Sequence, residues 1–303
     1  MGDASHRPYM CMLQTIVGFE GRDQLARALA RAAGAAYASL AVSTYRAGER
    51  AVRASPLGSA RGRLPVSKRC LLVADVEADG ESVWRVLLAA DALRRAGARK
   101  VSLLAPWMAY GRQDKPAKTR ESTGGVVLGA ALSRAFDRIY TLEAHSPLFR
   151  KHFGGRLKSL SARDLAVTIA RSKGAMAVAA PDHGAVKRAK SVAKRLRVTL
   201  IVCEKVRTRP GLGGVRTKIA SGDPTGHRVV LVDDMVDSGG TLKEAAHALR
   251  SAGARSVGAI VTHAANPVSV PRAQDLGLGY MEVVYRRNGK PKKEIIEFLL
   301  DAV

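Results

Sequence analysis

Val229-Val-Leu-Val-Asp-Asp-Met-Val-Asp-Ser-Gly-Gly-Thr-Leu242 is the stretch on which the reading of the fold turns. An apolar run ends in two acids, a short Asp-Ser-Gly-Gly-Thr loop follows, and a helical pattern begins at Lys243 and runs to about Ser251. The order is strand, anion-binding loop, helix. Gly239 and Gly240 let the backbone curl so that several N–H groups point inward. Ser238 and Thr241 add hydroxyl donors, and the helix N-terminus adds partial positive charge. Such a loop suits a phosphate monoester. Asp233 and Asp234 stand where two hydroxyls of an attached ribose could be held. The plain alternative is an ordinary βα turn with a capping Ser or Thr.

Around this stretch the chain alternates apolar runs with amphipathic ones, the pattern of mainly parallel sheets covered by helices. Strands are expected at 13–19, 70–74, 100–105, 138–142, 175–180, 199–203, 228–232 and 256–261. Helices are expected at 22–33, 82–95, 124–135, 162–172, 184–196, 240–251 and 294–301. Ala92-Leu-Arg-Arg-Ala-Gly-Ala-Arg-Lys-Val101 matches Ala248-Leu-Arg-Ser-Ala-Gly-Ala-Arg-Ser-Val257, and Leu72–Gly80 parallels Leu231–Gly239. This predicts an α/β protein of two related domains, residues 1–155 and 156–303, only the second of which keeps a full phosphate loop.

The bulk properties fit. At 303 residues with 47% hydrophobic content, two cores can be filled, and with 5% aromatics they must rest on Ala, Val and Leu. No apolar run is long enough for a membrane span, and the N-terminus lacks the pattern of a signal peptide. Cys11, Cys70 and Cys203 are scattered, which fits a reducing cytoplasm rather than a disulfide framework. The net charge of +24 raises nucleic-acid binding, but the basic residues are spread over the chain with few aromatics among them for base stacking. The densest cluster, Lys187–Arg197, has helical spacing and reads as a solvated face. Attraction of phosphorylated small substrates accounts for a basic cleft, though not for the whole charge.

Further segments carry chemistry. Tyr110-Gly-Arg-Gln-Asp-Lys115 follows an apolar strand and sets a guanidinium, an amide and a carboxylate in one loop. His145 stands at the tip of a strand, where a neutral imidazole can meet a metal or its water, although strand-end histidines are more often structural. Asp182 sits in a strand-to-helix turn, Pro181–Gly184. Glu204-Lys-Val-Arg207 follows a strand end and leads into Thr208–Arg216, a Gly/Pro-rich stretch that could close over phosphates or be a plain hairpin connection. Ser55–Ser67 is a second mobile-looking loop.

The phosphate loop resembles that of the type I phosphoribosyltransferases. Together the segments resemble the ribose-phosphate diphosphokinase family, which makes phosphoribosyl pyrophosphate (PRPP), over roughly residues 15–265. The family's Tyr-Ala-Arg-Gln-Asp-Lys appears with Gly111 for Ala. Its Pro-Asp-x-Gly is Pro181–Gly184, its loop Lys-x-Arg is Lys205 and Arg207, and its Val-Asp-Asp motif is Val232–Thr241. The Glu-Lys-x-Arg form looks closer to the shorter archaeal-type members.

That resemblance implies that Arg112, Gln113 and Asp114 bind ATP, with Tyr45 and Glu49 in the adenine loop. It implies that His145 and Asp182 place Mg²⁺, and that Asp233, Asp234, Asp237, Ser238, Gly239, Gly240 and Thr241 hold ribose 5-phosphate. Lys205 and Arg207 would be catalytic, with Lys205 mobile until substrate binds. A homo-oligomer without membrane or nucleic-acid partners is implied.

The chain also departs from the family. Asp-Leu-His becomes Glu143-Ala-His145, Leu148–Phe153 replaces Gln-Ile-Gln-Gly-Phe-Phe, and Ala47 stands where a polar residue reads the base. The segment after His263 lacks Phe-Ser-Gly-Pro-Ala. A PRPP-consuming phosphoribosyltransferase and a non-catalytic regulatory homologue are the rival readings.

Overall fold

The computed structural model describes residues 15–55, 67–207, 215–287 and 289–303. The chain divides into two units, 1–160 with 287–303, and 161–286.

The first unit opens with β1 (Thr15–Phe19), α1 (Gln24–Ala33), β2 (Ala36–Thr44) and β3 (Arg50–Ser55). It continues with β4 (Arg69–Val73), α2 (Gly80–Arg95), β5 (Lys100–Leu104), α3 (Gly124–Ala135), β6 (Arg138–Leu142), α4 (Pro147–Lys151) and β7 (Leu157–Leu160). The sheet order is β3-β2-β1-β4-β5-β6-β7, and every pairing is parallel except β2 with β3. Central strands such as Arg69-Cys-Leu-Leu-Val73 are continuous apolar runs because helices cover both faces. Phe136, Phe149 and Phe153 are fully buried beside α3, and the last two meet edge to face at 5.1 Å. Each such side chain contributes about 1.5–3 kcal/mol by leaving water. The divergent segment 148–153 therefore enters the core through Phe149 and Phe153, while Leu148, Arg150 and Lys151 are exposed.

The second unit runs α5 (Arg163–Ser172), β8 (Ala177–Ala180), α6 (Val186–Leu196), β9 (Thr199–Arg207), β10 (Val215–Ser221), β11 (Arg228–Val236), α7 (Gly240–Ser251), β12 (Ser256–Ala264) and β13 (Met281–Tyr285). Its sheet order is β10-β9-β8-β11-β12-β13, again parallel but for the β9–β10 hairpin. Taken in order, β8 to β13 repeat the placement of β1 to β6, as the internal repeat in the sequence leads one to expect. The core of this unit is aliphatic, built from residues such as Ile201, Leu231, Leu242, Leu249 and Val261.

Several expectations change. The sheets are wider than the apolar runs, since β2, β3, β7, β10 and β13 and the short α4 were not expected. β9, β11 and β12 run on past Cys203, Val232 and Val261, so Asp233 and Asp234 lie within a strand. The segment 287–303, expected in the second domain, packs on the first, where α8 (Lys293–Ala302) meets α1 and Lys158 Nζ donates to the Ala302 carbonyl at 2.8 Å. Most of both expected mobile loops, 56–66 and 208–214, and Cys11 lie outside the described residues.

Candidate active site

In parallel sheets of this kind ligands gather at the carboxyl ends of the strands. In the second unit Asp182 follows β8, Lys205 lies in β9, and Asp233 and Asp234 lie in β11. Because β8 is central to the three, these groups converge. Lys205 Nζ donates to Asp182 Oδ2 at 3.2 Å and to Thr241 Oγ1 at 3.0 Å. Asp182 caps a 3-10 turn, His183–Ala185, by accepting from the Ala185 N–H at 3.3 Å. An ammonium thus rests on the lip of the glycine loop, tied to residues from two other elements. Lys205 was expected in a mobile loop. It is instead a strand residue, paired with Thr217 across the β9–β10 hairpin, so its backbone is held. Arg207 ends the same strand, and its side chain lies outside the described set.

The loop itself is open for an anion. Gly239 occupies the helix-capping position at φ 82°, and no side chain caps α7. The first-turn N–H groups, which have no partners within a helix, therefore face a ligand. A Cβ at Gly239 would lie 2.6 Å from Leu276 Cδ2. Gly239→Ala combines this clash with a left-handed backbone that costs about 1–2 kcal/mol for a residue with a side chain. We expect a Tm lower by a few degrees and a Kd for inorganic phosphate raised about tenfold. Unchanged values for both would mean that the loop is not the phosphate seat.

The acidic pair is held by a residue that was read from sequence as part of a solvated face. Arg188 on α6 reaches Asp233 Oδ1 at 3.5 Å and Asp234 Oδ2 at 3.8 Å, while Lys187, Lys190 and Lys194 on the same helix are exposed. The signal available in the sequence was its place just inside the helix that begins after Asp182. Burial pushes the Asp233 carboxyl up to about 7, the neighbouring Asp234 adds to the rise, and Arg188 opposes it.

The first unit presents a second set of expected residues at its own carboxyl edge. In the loop after β5, Asp114 accepts a short hydrogen bond from the Ser146 hydroxyl, and its carbonyl lies 2.8 Å from His152 Nε2. Arg112 and Gln113 beside it are exposed. His145 lies three residues beyond β6, and a Cβ at Gly111 would sit 3.2 Å from the His145 Cβ. Glycine at position 111 therefore lets the histidine turn approach the 110–115 loop closely. Tyr110 and Glu143, at φ 61° and 52°, hold left-handed conformations around that contact. Tyr45 and Glu49 are not brought to this cluster. They flank the tip of the β2–β3 hairpin, where the Tyr45 N–H donates to the Glu49 carbonyl at 2.8 Å. Three strand spacings separate β2 from β5, roughly 14 Å.

The loop between β4 and α2 is the counterpart of the phosphate loop, and it is closed. Asp79 caps α2, its carboxylate accepting from the Ser82 N–H at 2.5 Å. That carboxylate occupies the position an incoming anion would need.

Among the described residues, no group of three or more His, Cys, Asp or Glu could by itself hold a metal ion. The donors suit Mg²⁺ brought in with a nucleotide, because that ion keeps several waters and takes one or two carboxylates plus phosphate oxygens. Asp182, partly exposed at a strand end, is a donor of this kind.

Residues 14–135 match the N-terminal domain of ribose phosphate pyrophosphokinase, and residues 158–275 match the phosphoribosyl transferase domain. The chain belongs to the ribose-phosphate pyrophosphokinase family. The enzyme of that name from Bradyrhizobium diazoefficiens is 36% identical over 187 residues, 60% of this chain and 58% of the relative. The one from Pyrococcus abyssi is 34% identical over 184 residues, 60% of this chain and 64% of the relative. The matched stretches thus span about three-fifths of these pyrophosphokinases, and the two identities do not set an archaeal type apart. The structure of phosphoribosylpyrophosphate synthetase from Mycobacterium smegmatis superposes with a TM-score of 0.77 at 25% identity, covering 95% of this chain and 97% of that one.

Proposed function

We propose that the protein transfers an intact diphosphoryl group from Mg-ATP to the anomeric hydroxyl of ribose 5-phosphate, giving PRPP and AMP. The observation that carries this reading is the Lys205 ammonium tied to Asp182 and Thr241 at the open glycine loop. A sugar phosphate held there has its 5-phosphate on the N–H groups of residues 237–241 and its ribose hydroxyls donating to Asp233 and Asp234. The anomeric oxygen attacks the β-phosphorus, the bond from that phosphorus to the αβ-bridging oxygen breaks, and AMP leaves. Little covalent work falls to the protein, which aligns the attack and balances the charge. Lys205 and Arg207 balance it on the oxygens of the transferring group. Arg112, Gln113 and Asp114 hold ATP, with Tyr45 and Glu49 for the base. Asp182 in the second unit and His145 in the first are the residues that would hold Mg²⁺, and the bound ion would supply charge neutralisation on the phosphates.

Free, buried thiols at Cys70 and Cys203 suit a reducing cytoplasm. No helix among the described residues is long and apolar enough to cross a membrane. We read the protein as a homo-oligomer, because Trp84 on α2 and Val126 and Val127 on α3 stand exposed on neighbouring helices. Incubation with ribose 5-phosphate, ATP and Mg²⁺ should yield AMP and PRPP in equal amounts, and chelation should stop it. Stoichiometric ADP with a doubly phosphorylated sugar would show a simple kinase and overturn the assignment. Binding of both substrates without turnover would favour the regulatory homologue.

A further inference from the structure

Arg287 lies beyond both regions matched by the family models, yet it is buried in the first unit, with its side chain 4% exposed. It makes a short ion pair with Glu77, and its guanidinium carbon stands 4.2 Å from the centroid of the Trp107 ring. These two contacts belong to two chain segments that are zipped together. The Trp107 N–H donates to Asp75 Oδ1 at 2.9 Å, and the Val76 N–H donates to the Trp107 carbonyl at 3.0 Å. The Ala109 N–H returns to the Val76 carbonyl at 2.8 Å, and the Tyr110 hydroxyl donates to the Ala78 carbonyl at 2.7 Å. The next residues are Arg112, Gln113 and Asp114. Tyr110 enters that turn at φ 61°, a conformation that persists only where the surroundings over-determine it.

We propose that Arg287 is a positioning residue for nucleotide binding: from the C-terminal segment it clamps Glu77 and Trp107 and so fixes the loop that presents Arg112, Gln113 and Asp114. The proposal rests on the nucleotide reading of that loop. A guanidinium suits the position because it is flat enough to stack on the indole while its edge meets the carboxylate, which an ammonium cannot do. The clamp acts on the nucleotide side only, since the sugar-phosphate loop lies in the other unit.

The chain has two tryptophans, and Trp107 is 9% exposed against 57% for Trp84. A Trp84→Phe background therefore leaves Trp107 as a reporter stacked on the clamp. In that background, Arg287→Gln and Glu77→Gln should each raise the Kd for Mg-ATP about tenfold or more, by calorimetry and by the emission change of Trp107. The KM for ribose 5-phosphate should stay within about twofold, and Arg287→Lys should recover only part of the loss. Unchanged ATP affinity in the folded variants overturns the proposal. So does a parallel loss for both substrates, which would mark a structural role only. If Arg287→Gln does not fold, Glu77→Gln alone decides. A parent protein that fails to bind ATP removes the functional reading itself. A parent that binds ATP beside variants that bind it equally well removes only the clamp.

Discussion

Lys205→Ala lowers kcat by about 10²–10³-fold or more, with either KM changed by no more than about threefold. The structure sharpens the reason. The ammonium is delivered by a paired strand, and it already sits between Asp182 and Thr241. Charge that appears mainly in the transition state affects kcat more than binding. The fold should be indifferent, because the side chain is 43% exposed and a surface pair contributes about 1 kcal/mol or less. Lys205→Arg should restore part of the rate. Single-turnover kinetics with matched thermal melts are the measurement. A Lys205→Ala protein with near-normal kcat would take the strand out of the chemistry and favour a regulatory role.

Asp233→Asn should raise stability and damage function together, an unusual pairing. The folded carboxyl titrates near 7, well above its ordinary 3.8, because it is buried beside Asp234. Its contribution to stability is complete below the ordinary value and is lost as pH rises through 7, where folding must carry a buried charge. At pH 8 the neutral amide removes that cost, a gain on the order of 2 kcal/mol, while at pH 4 the two proteins should melt alike. Arg188 remains paired with Asp234. The same change removes an acceptor for a ribose hydroxyl, so the KM for ribose 5-phosphate should rise about tenfold or more with ATP affinity unchanged. Asp234→Asn should share that substrate pattern. Thermal melts from pH 4 to 8 alongside kinetics test both halves. A variant that melts lower at pH 8 and uses the sugar phosphate normally would show the acid to be structural.

What could be read from sequence follows burial. Arg69–Val73 and Val229–Val232 are sandwiched between helices and read as uninterrupted apolar runs. Ala36–Thr44 is buried only in its middle, and Val215–Ser221 carries Arg, Thr and Lys in succession, so strands at or next to a sheet edge look like loops. The strand ends at the site were cut short for a related reason. Polar residues proposed to serve ligands, such as Lys205, Asp233 and Asp234, sit in the strands themselves, where hydropathy reads them as a boundary. The strand–glycine loop–helix turn at Gly239 and Gly240 was legible because a glycine turn is a local feature. Arg188 was not, since a cationic helix does not announce which of its residues turns toward carboxylates two strands away. Nor was Arg287, whose partners Glu77 and Trp107 lie in a distant part of the chain.

The carboxylate of Asp79 has a consequence for stoichiometry. A duplicated fold offers two equivalent cradles, and a phosphorylated ligand would in principle enter either. Here one cradle carries a carboxyl group of its own, covalently supplied and already bonded to the backbone it would have to vacate. Repulsion and occupancy act together at that end, so saturation should come at one sugar phosphate per chain. On the proposed reading, the asymmetry between the two units comes down to the residue that caps each helix: Asp79, whose side chain answers the dipole from within, or Gly239, which leaves the answer to a guest.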